Sequence, residues 1–283
     1  MLRILIPTDL HRNSRSGMRF AIQWAAQQKA KLLFLHVAYI PGLARHDKQY
    51  QAHRMSELDL RQRRLQQLVN GVFARMGIRD QPFECLVVEG ISPETTLQDY
   101  CRKHKEINFV CMSTHGASGL QKWWGTHAGN LITQSSTPVV VVPKGYRARP
   151  LTHLVYATDL RHYQEELKKV APLVHQLHAG LHVLHFLGPD EMMPDKHIFE
   201  SVLQQEFHIE CQLHFEHMDE TRSMVANLDT FLHQMKPSLA ILFTDQHRTL
   251  FEKIFFPSKA ENLSFRTRTP LLVFPSHSTR NGS

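Results

Sequence analysis

The sequence has few cysteines, and their arrangement excludes one class of protein. Its 283 residues include four cysteines, Cys85, Cys101, Cys111 and Cys211, and no two of them form a Cys-X-X-Cys pair. Scattered cysteines in or beside apolar segments are typical of reduced thiols, whereas a disulfide scaffold concentrates them at regular spacings. We therefore expect a protein of the cytoplasm without structural disulfides.

Long apolar runs are also missing. The run from 138 to 143 has the length of a strand and falls far short of the roughly 20 apolar residues of a membrane-spanning helix. The first residues lead directly into an apolar strand with no small-residue cleavage site, so no signal peptide is expected. The sequence thus predicts no membrane association. Two common nucleotide-binding motifs, the P-loop and Gly-X-Gly-X-X-Gly, are also absent from the sequence.

Charge is unevenly distributed along the chain. Residues 1–150 carry 21 Lys and Arg against 10 Asp and Glu, a net charge of +11, whereas residues 151–283 carry 12 against 16, a net charge of −4. A basic half favours anionic ligands, although scattered basic residues can also form only a solvated helix surface. The densest cluster, residues 61–64, is expected on the outer face of a helix. No nucleic-acid-binding module accompanies these charges, so nucleic acid is not an expected partner.

The chain repeats one pattern. Three segments recur 132 to 150 residues later in the same order. They are Thr8-Asp9-Leu10 with Thr158-Asp159-Leu160, Leu35-His36-Val37 with Leu184-His185-Phe186, and 137–143 with 269–275. The repeat predicts two copies of one domain, at 1–146 and 147–283, the second copy being shorter.

Within the first copy, strand-like apolar runs alternate with helical patterns, which is typical of an α/β fold with a parallel sheet. Strands are predicted at 3–7, 31–37, 83–88, 107–112 and 138–142, and helices at 14–29, at 49–76 and from Ser92-Pro93 onward. Ser92 is expected to be the N-cap of that third helix, with Pro93 at its first position. The predicted fold is therefore two tandem open five-stranded parallel-sheet domains.

Ligands of open parallel sheets collect at the carboxyl ends of strands where the strand order reverses. Asp9, Val37 and Ser113 each lie at or just beyond the end of a predicted strand. Glycines from Gly116 to Gly125-Thr126 would let the backbone approach a phosphate, and the helix expected next would offer unpaired N–H groups. Each feature has a structural alternative, because an aspartate after a strand and glycines after a strand often only shape a turn.

The whole chain resembles two universal stress protein domains of the UspA type in tandem. The nucleotide signature of that family is Gly-X2-Gly-X9-Gly-Ser/Thr, and the matching stretch here is Ser113-X2-Gly116-X8-Gly125-Thr126. The first glycine is thus a serine, and the spacer is one residue short. The resemblance implies an adenine nucleotide alpha hydrolase-like, Rossmann-like fold and a site for ATP or a related nucleotide. The residues it implies for that site are Pro7, Thr8, Asp9, Val37, Met112, Ser113, Gly116, Gly125 and Thr126.

The second copy departs further from this signature. Pro257-Ser258 stands where the first copy has Gly125-Thr126, and the loop from 244 to 251 contains no glycine. Proline removes an N–H group where a phosphate would need one. We therefore predict at most one nucleotide per chain, bound by the first copy, and a degenerate second copy that keeps only the fold.

Twenty histidines raise the question of a metal site, but their spacing does not provide one. His182 and His185 are separated by an odd number of residues on a predicted strand and so point to opposite faces. His36 and His185 hold equivalent strand positions and are expected to be structural. Trp123 and Trp124 could stack on a base or simply form a hydrophobic lid.

The resemblance implies a nucleotide-responsive regulatory protein that is not an enzyme or is at most a slow ATPase. The alternative is an interaction protein of the stress response in which both sites are inactive. Strand five is apolar in both copies, and an exposed apolar edge strand favours association. Family likeness therefore implies that the two copies pair through this strand about a pseudo-two-fold axis. Whether the chain also forms a homodimer, and which protein partner it serves, stays open at this point.

Overall fold

The computed structural model describes residues 1–41, 48–113, 137–188, 191–244 and 268–275. The chain divides into two compact units, Met1–Ala148 and Arg149–Ser283. Among the described residues, no helix combines the length and the apolar character that crossing a membrane requires.

The first unit alternates strands and helices along the chain. Its elements are β1 (Arg3–Pro7), α1 (Arg15–Gln28, preceded by a 3-10 turn at Arg12–Ser14), β2 (Lys31–Ala38), α2 (Lys48–Met76), β3 (Phe83–Glu89), α3 (Pro93–Lys103), β4 (Phe109–Ser113) and β5 (Val139–Val142). The strands are parallel and lie in the order β3-β2-β1-β4-β5. The order reverses between β1 and β4, so the carboxyl ends of these two strands mark the switch point at which such sheets bind ligands.

The second unit has the same order of elements. They are β6 (His153–Ala157), α4 (Tyr163–Leu177), β7 (Gly180–Leu187), α5 (Lys196–Phe207), β8 (Cys211–His217), α6 (Met224–Met235), β9 (Leu239–Phe243) and β10 (Leu271–Phe274). Its strands are also parallel, in the order β8-β7-β6-β9-β10. The predicted α/β class with a parallel sheet is confirmed.

The core of the first unit forms where α1 packs on β1 and β4. The side chains of Phe20 and Trp24 are fully buried, with their rings edge to face at 5.8 Å. Trp24 also lies 4.8 Å from the ring of Phe109 on β4. Strands covered on both faces read as continuous apolar runs, which is why β5 consists of four buried valines.

α3 begins where the sequence predicts it, with Ser92 at the N-cap. Ser92 holds the N-cap position with an extended backbone, but its side chain accepts no capping hydrogen bond. Its carbonyl oxygen instead accepts hydrogen bonds from the Thr96 N–H at 3.1 Å and the Thr96 hydroxyl at 2.7 Å. Pro93 at the first position still agrees with the sequence pattern.

The basic cluster at 61–64 lies only partly on the outer face of α2. Arg63 and Arg64 are exposed as predicted, but Arg61 and Gln62 are half-buried. The side-chain amide of Gln62 donates to the carbonyl of Cys85 on β3 at 2.8 Å. Four consecutive residues cover more than a full helical turn, so they cannot all face solvent. The prediction was wrong for Arg61 and Gln62.

Candidate functional site

A tight turn follows β1 and presents Asp9 at the carboxyl end of the sheet. The Thr8 hydroxyl accepts a hydrogen bond from the Leu10 N–H at 3.1 Å. One carboxylate oxygen of Asp9 accepts from the His11 N–H at 3.0 Å and from the Ser14 hydroxyl at 2.5 Å. Leu10 has φ of 64°, a left-handed conformation that is unfavourable for leucine, so these side-chain contacts hold a strained turn.

Ser113, the last residue of β4, directs its side chain towards α1. Its hydroxyl donates to the Ser14 carbonyl at 3.0 Å and accepts from the Gly17 N–H at 2.7 Å. A Cβ at Gly17 would lie 3.0 Å from backbone atoms of Met112 and Ser113, so glycine permits this close approach. The serine that replaces the first glycine of the family signature therefore joins β4 to the start of α1.

His36 on β2 is anchored to the same turn. Its Nδ1 lies 2.9 Å from the Thr8 carbonyl oxygen, and because a carbonyl can only accept, Nδ1 carries the proton. The side chain is 8% exposed, and burial lowers the pKa of His36, while the bond to Thr8 and the nearby Asp9 act in the opposite direction. His36 is therefore a neutral ring near pH 7 that holds β2 against the end of β1.

A cavity of about 310 Å³ opens at the carboxyl ends of β1, β2 and β4. Six of the nine predicted site residues line it, namely Pro7, Thr8, Asp9, Val37, Met112 and Ser113. The fold thus brings residues from three strands together in one place. Other residues discussed from the sequence lie outside the described part of the chain: Gly116, Gly125, Thr126, Trp123, Trp124, Pro257 and Ser258.

Several residues that line this cavity were not predicted. Leu35 lies two residues before Val37 and so faces the same side of β2, a signal that the strand period contains. Pro93 and Leu97 come from the first turns of α3. Their place depends on how α3 packs against β2, which no local pattern specifies. These side chains add apolar surface to the cavity, whose polar lining residues are Thr8, Asp9, His11, Ser14, His36 and Ser113.

The second unit reproduces this turn and the histidine that contacts it. The Thr158 hydroxyl accepts from the Leu160 N–H at 3.0 Å, and Leu160 has φ of 63°. The Asp159 carboxylate accepts a hydrogen bond from the N–H two residues further on, that of Arg161, at 2.9 Å. The Nδ1 of His185 lies 2.9 Å from the Thr158 carbonyl, as in the first unit. The Thr-Asp-Leu turn is therefore an architectural feature of both units.

Histidines in the second unit meet across neighbouring strands. Nδ1 of His182 on β7 lies 3.0 Å from Nε2 of His214 on β8, and the His153 ring is 6.3 Å from that of His182. His185 contacts a different set of groups, in agreement with the predicted opposite faces. Within the described ranges, no group of three or more His, Cys, Asp or Glu residues could hold a metal ion.

Comparison with known proteins identifies the family. The model of the universal stress protein family matches residues 1–143, just over half of the chain. The chain belongs to the universal stress protein family. The resemblance seen in the sequence is thereby confirmed, and no curated protein sequence matches the chain significantly.

Several solved structures have a fold similar to that of this chain. It is similar to a universal stress protein from Archaeoglobus fulgidus DSM 4304, with a TM-score of 0.68, 17% identity and 96% of each chain covered. It is also similar to a protein of unknown function from Pseudomonas aeruginosa PAO1, with a TM-score of 0.56, 13% identity and coverage of 96% of this chain and 92% of that one. At these identities the similarity concerns the fold.

Proposed function

We propose that the chain is a regulatory protein that binds an adenine nucleotide such as ATP in its first unit. The observation that carries the proposal is the cavity of about 310 Å³ lined by six of the residues that the family resemblance implies. This volume is at the lower end of the range of small-molecule sites, which combine apolar walls with a few polar groups. Family membership supports a nucleotide as the ligand class.

The lining suits a nucleoside. Val37 and Met112 supply apolar surface for the flat face of a base, while the Asp9 carboxylate is among the polar groups of the lining. A carboxylate has about four lone-pair sites, so Asp9 can accept from ribose hydroxyls in addition to its contacts in the turn. The phosphates would extend towards residues 114–126, which lie outside the described residues.

The second unit is not expected to bind a second nucleotide. Phe186 occupies the strand position that Val37 has in the first unit, so a bulky ring replaces a small side chain. The second half also has a net charge of −4, which disfavours a polyphosphate. The proposal is therefore one nucleotide per chain.

Exchanging the side chains of the two units tests this asymmetry. Val37→Phe should weaken ATP binding about tenfold or more, because the ring fills space that the base needs. Phe186→Val, the matched control, should leave the affinity unchanged. Isothermal titration calorimetry on the full chain should give one site with a dissociation constant in the micromolar range, about −8 kcal/mol. Two sites per chain, or a loss confined to Phe186→Val, would contradict the proposal.

One observation favours the alternative of an interaction protein with both sites inactive. Asp9 and Asp159 make the same turn, so the turn alone accounts for the presence of Asp9. If ATP produces no heat and does not raise the melting temperature of the chain, this alternative is favoured. A protein partner would then be the only ligand to seek.

A further inference from the structure

The first unit contains a second cavity, of about 510 Å³, on the α2 side of β2. It is lined by Asp9, His11 and His36 from the strand ends and by Arg61, Arg64 and Gln67 from α2. The family signature does not include the α2 residues, and the proposed nucleotide site does not need them. Four side chains with cationic or titratable nitrogen groups, two histidines and two arginines, thus line one cavity together with the Asp9 carboxylate.

Two nitrogen atoms at this cavity are buried without a hydrogen bond. Nε2 of His36 and Nε of Arg61 have no partner among the residues that the structure describes. The His36 side chain is 8% exposed, so solvent hardly reaches it. Buried polar groups normally have a partner, and a pair of them at one cavity indicates that a ligand group completes the site.

The second unit shows what completes the equivalent position. His185, anchored in the same way as His36, has its Nε2 2.9 Å from one carboxylate oxygen of Glu191. The other oxygen of that carboxylate accepts from the Gly188 N–H at 3.0 Å. These two contacts lower the pKa of Glu191 and keep it ionised. The chain itself therefore supplies an oxyanion to the histidine of the second unit.

We propose that the first unit binds an oxyanion from solution, the carboxylate or phosphate group of a small molecule, at the place that Glu191 occupies in the second unit. The anion would lie between Nε2 of His36 and the guanidinium groups of Arg61 and Arg64. Arg64 is exposed to solvent. Arg61 is partly buried, and its Nη2 lies 3.3 Å from the Glu57 carboxylate. This cavity adjoins the proposed nucleotide site, because Asp9, His11 and His36 line both, whereas the α2 residues line only this one.

Binding is coupled to a proton. The Nδ1 proton of His36 is donated to the Thr8 carbonyl, so the neutral ring presents only a lone pair at Nε2. To donate to an anion, Nε2 must gain a proton. Arg61 and His11 disfavour the positive charge of a protonated His36, whereas Asp9 favours it. Arg64 lines the same cavity. The affinity should therefore rise as the pH falls, by at most about tenfold per pH unit above the pKa of His36.

Imidazole NMR of the full chain, labelled at histidine, tests the site directly. Sulfate and acetate serve as tetrahedral and planar probes, each compared with chloride at equal ionic strength between about pH 5.5 and pH 8. His36→Gln is used only to assign the resonance. At least one probe should raise the pKa of His36 by about one unit or more. The stronger probe identifies whether the site prefers a phosphate-like or a carboxylate group.

Two variants distinguish this site from a general salt effect. The double variant Arg61→Gln/Arg64→Gln should abolish the shift, whereas Arg79→Gln, at an exposed arginine beyond α2, should retain it. The other histidine resonances report that each variant is folded. The proposal is overturned if neither probe moves His36, if the double variant responds like the wild type, or if the pKa of His36 is already raised in chloride. Because no nucleotide is present, these outcomes do not depend on the ATP titration.

Discussion

Asp9 and Asp159 make the same structural contact in the two units. Each accepts a hydrogen bond from the N–H two residues ahead and stabilises a turn with a left-handed leucine. The two units differ instead in the residues around the turn. Phe186 stands where the first unit has Val37. Nε2 of His36 has no hydrogen-bond partner among the described residues, whereas Nε2 of His185 contacts Glu191. We therefore propose that these neighbours, rather than the aspartate common to both turns, distinguish the unit that binds a ligand.

The pair of His182 and His214 makes the second unit sensitive to acid. Burial lowers the pKa of both, and the proximity of His214 lowers that of His182 further. In the unfolded chain both histidines have a pKa of about 6.5, whereas in the folded chain they take up protons only at lower pH. The unfolded state therefore binds more protons as the pH falls below about 6.5, and the free energy of unfolding falls with it.

Replacing both histidines by glutamine should flatten this dependence. Urea unfolding of the wild type and of His182→Gln/His214→Gln is compared at several pH values from about 7.5 down to 5. The wild type should lose more stability than the double variant between about pH 6.5 and pH 5. His197→Gln, at an exposed side chain, is the control and should follow the wild type. Parallel curves for wild type and double variant would refute a role for the pair.

At the scale of the element, four helices end without the glycine that usually stops a helix. The residue after each has a left-handed backbone, with φ of 52°, 49°, 54° and 49° at Lys29, His178, His208 and Lys236. A residue with a side chain is disfavoured in this conformation by about 1–2 kcal/mol. By contrast α2 is followed by Gly77, with φ of 69°. The helix ends therefore contain strain that a local substitution can relieve.

Lys29→Gly and Lys236→Gly should each stabilise the chain by about 0.5–1 kcal/mol, since glycine adopts the left-handed conformation freely. Both lysines are exposed, so the loss of the side chain removes little packing. Gly77→Ala is the opposite control: an added Cβ meets nothing within 4 Å, so its effect is the backbone strain alone, a loss of about 1 kcal/mol. Thermal unfolding measures all three, and a stabilised Gly77→Ala would contradict the argument.

At the scale of the whole molecule, two units with one strand order carry opposite net charges, +11 and −4 for the halves divided at residue 150. We propose that the two units pair through β5 and β10, because both are short apolar strands at the end of their sheet order. Such strands are hazards unless they are covered. The opposite charges of the two halves favour the same association.

Cutting the connection between the units tests this pairing. Arg147 and Ala148 are exposed, so a protease site can be inserted between them. After cleavage of the purified chain, the two halves should still elute together in size-exclusion chromatography, also at about 1 M salt, because apolar contacts are not screened. The uncleaved chain is the control. Halves that separate at low protein concentration would show that the units are joined only by the linker.

Periodicity and repeats in the sequence determined the two-copy α/β organisation, because buried parallel strands read as apolar runs wherever they occur. The strand boundaries were predicted less exactly. β4 was predicted at 107–112 but spans Phe109–Ser113, because the Ile107 N–H donates to the His104 carbonyl in the turn before the strand. Six residues of the candidate site could be named because strand ends meet at a switch point and because the family resemblance implies them.

Only the tertiary structure decided which side chains far apart in the sequence meet. Leu97 reaches the first cavity, Arg61 reaches the second, and His182 pairs with His214 because helices and strands pack in three dimensions. The same holds for Nε2 of His36, which has no partner within the described part of the chain, while its counterpart on His185 contacts Glu191. Local patterns specify elements and their faces. The partners of a buried polar atom depend on packing between elements, which no local pattern contains.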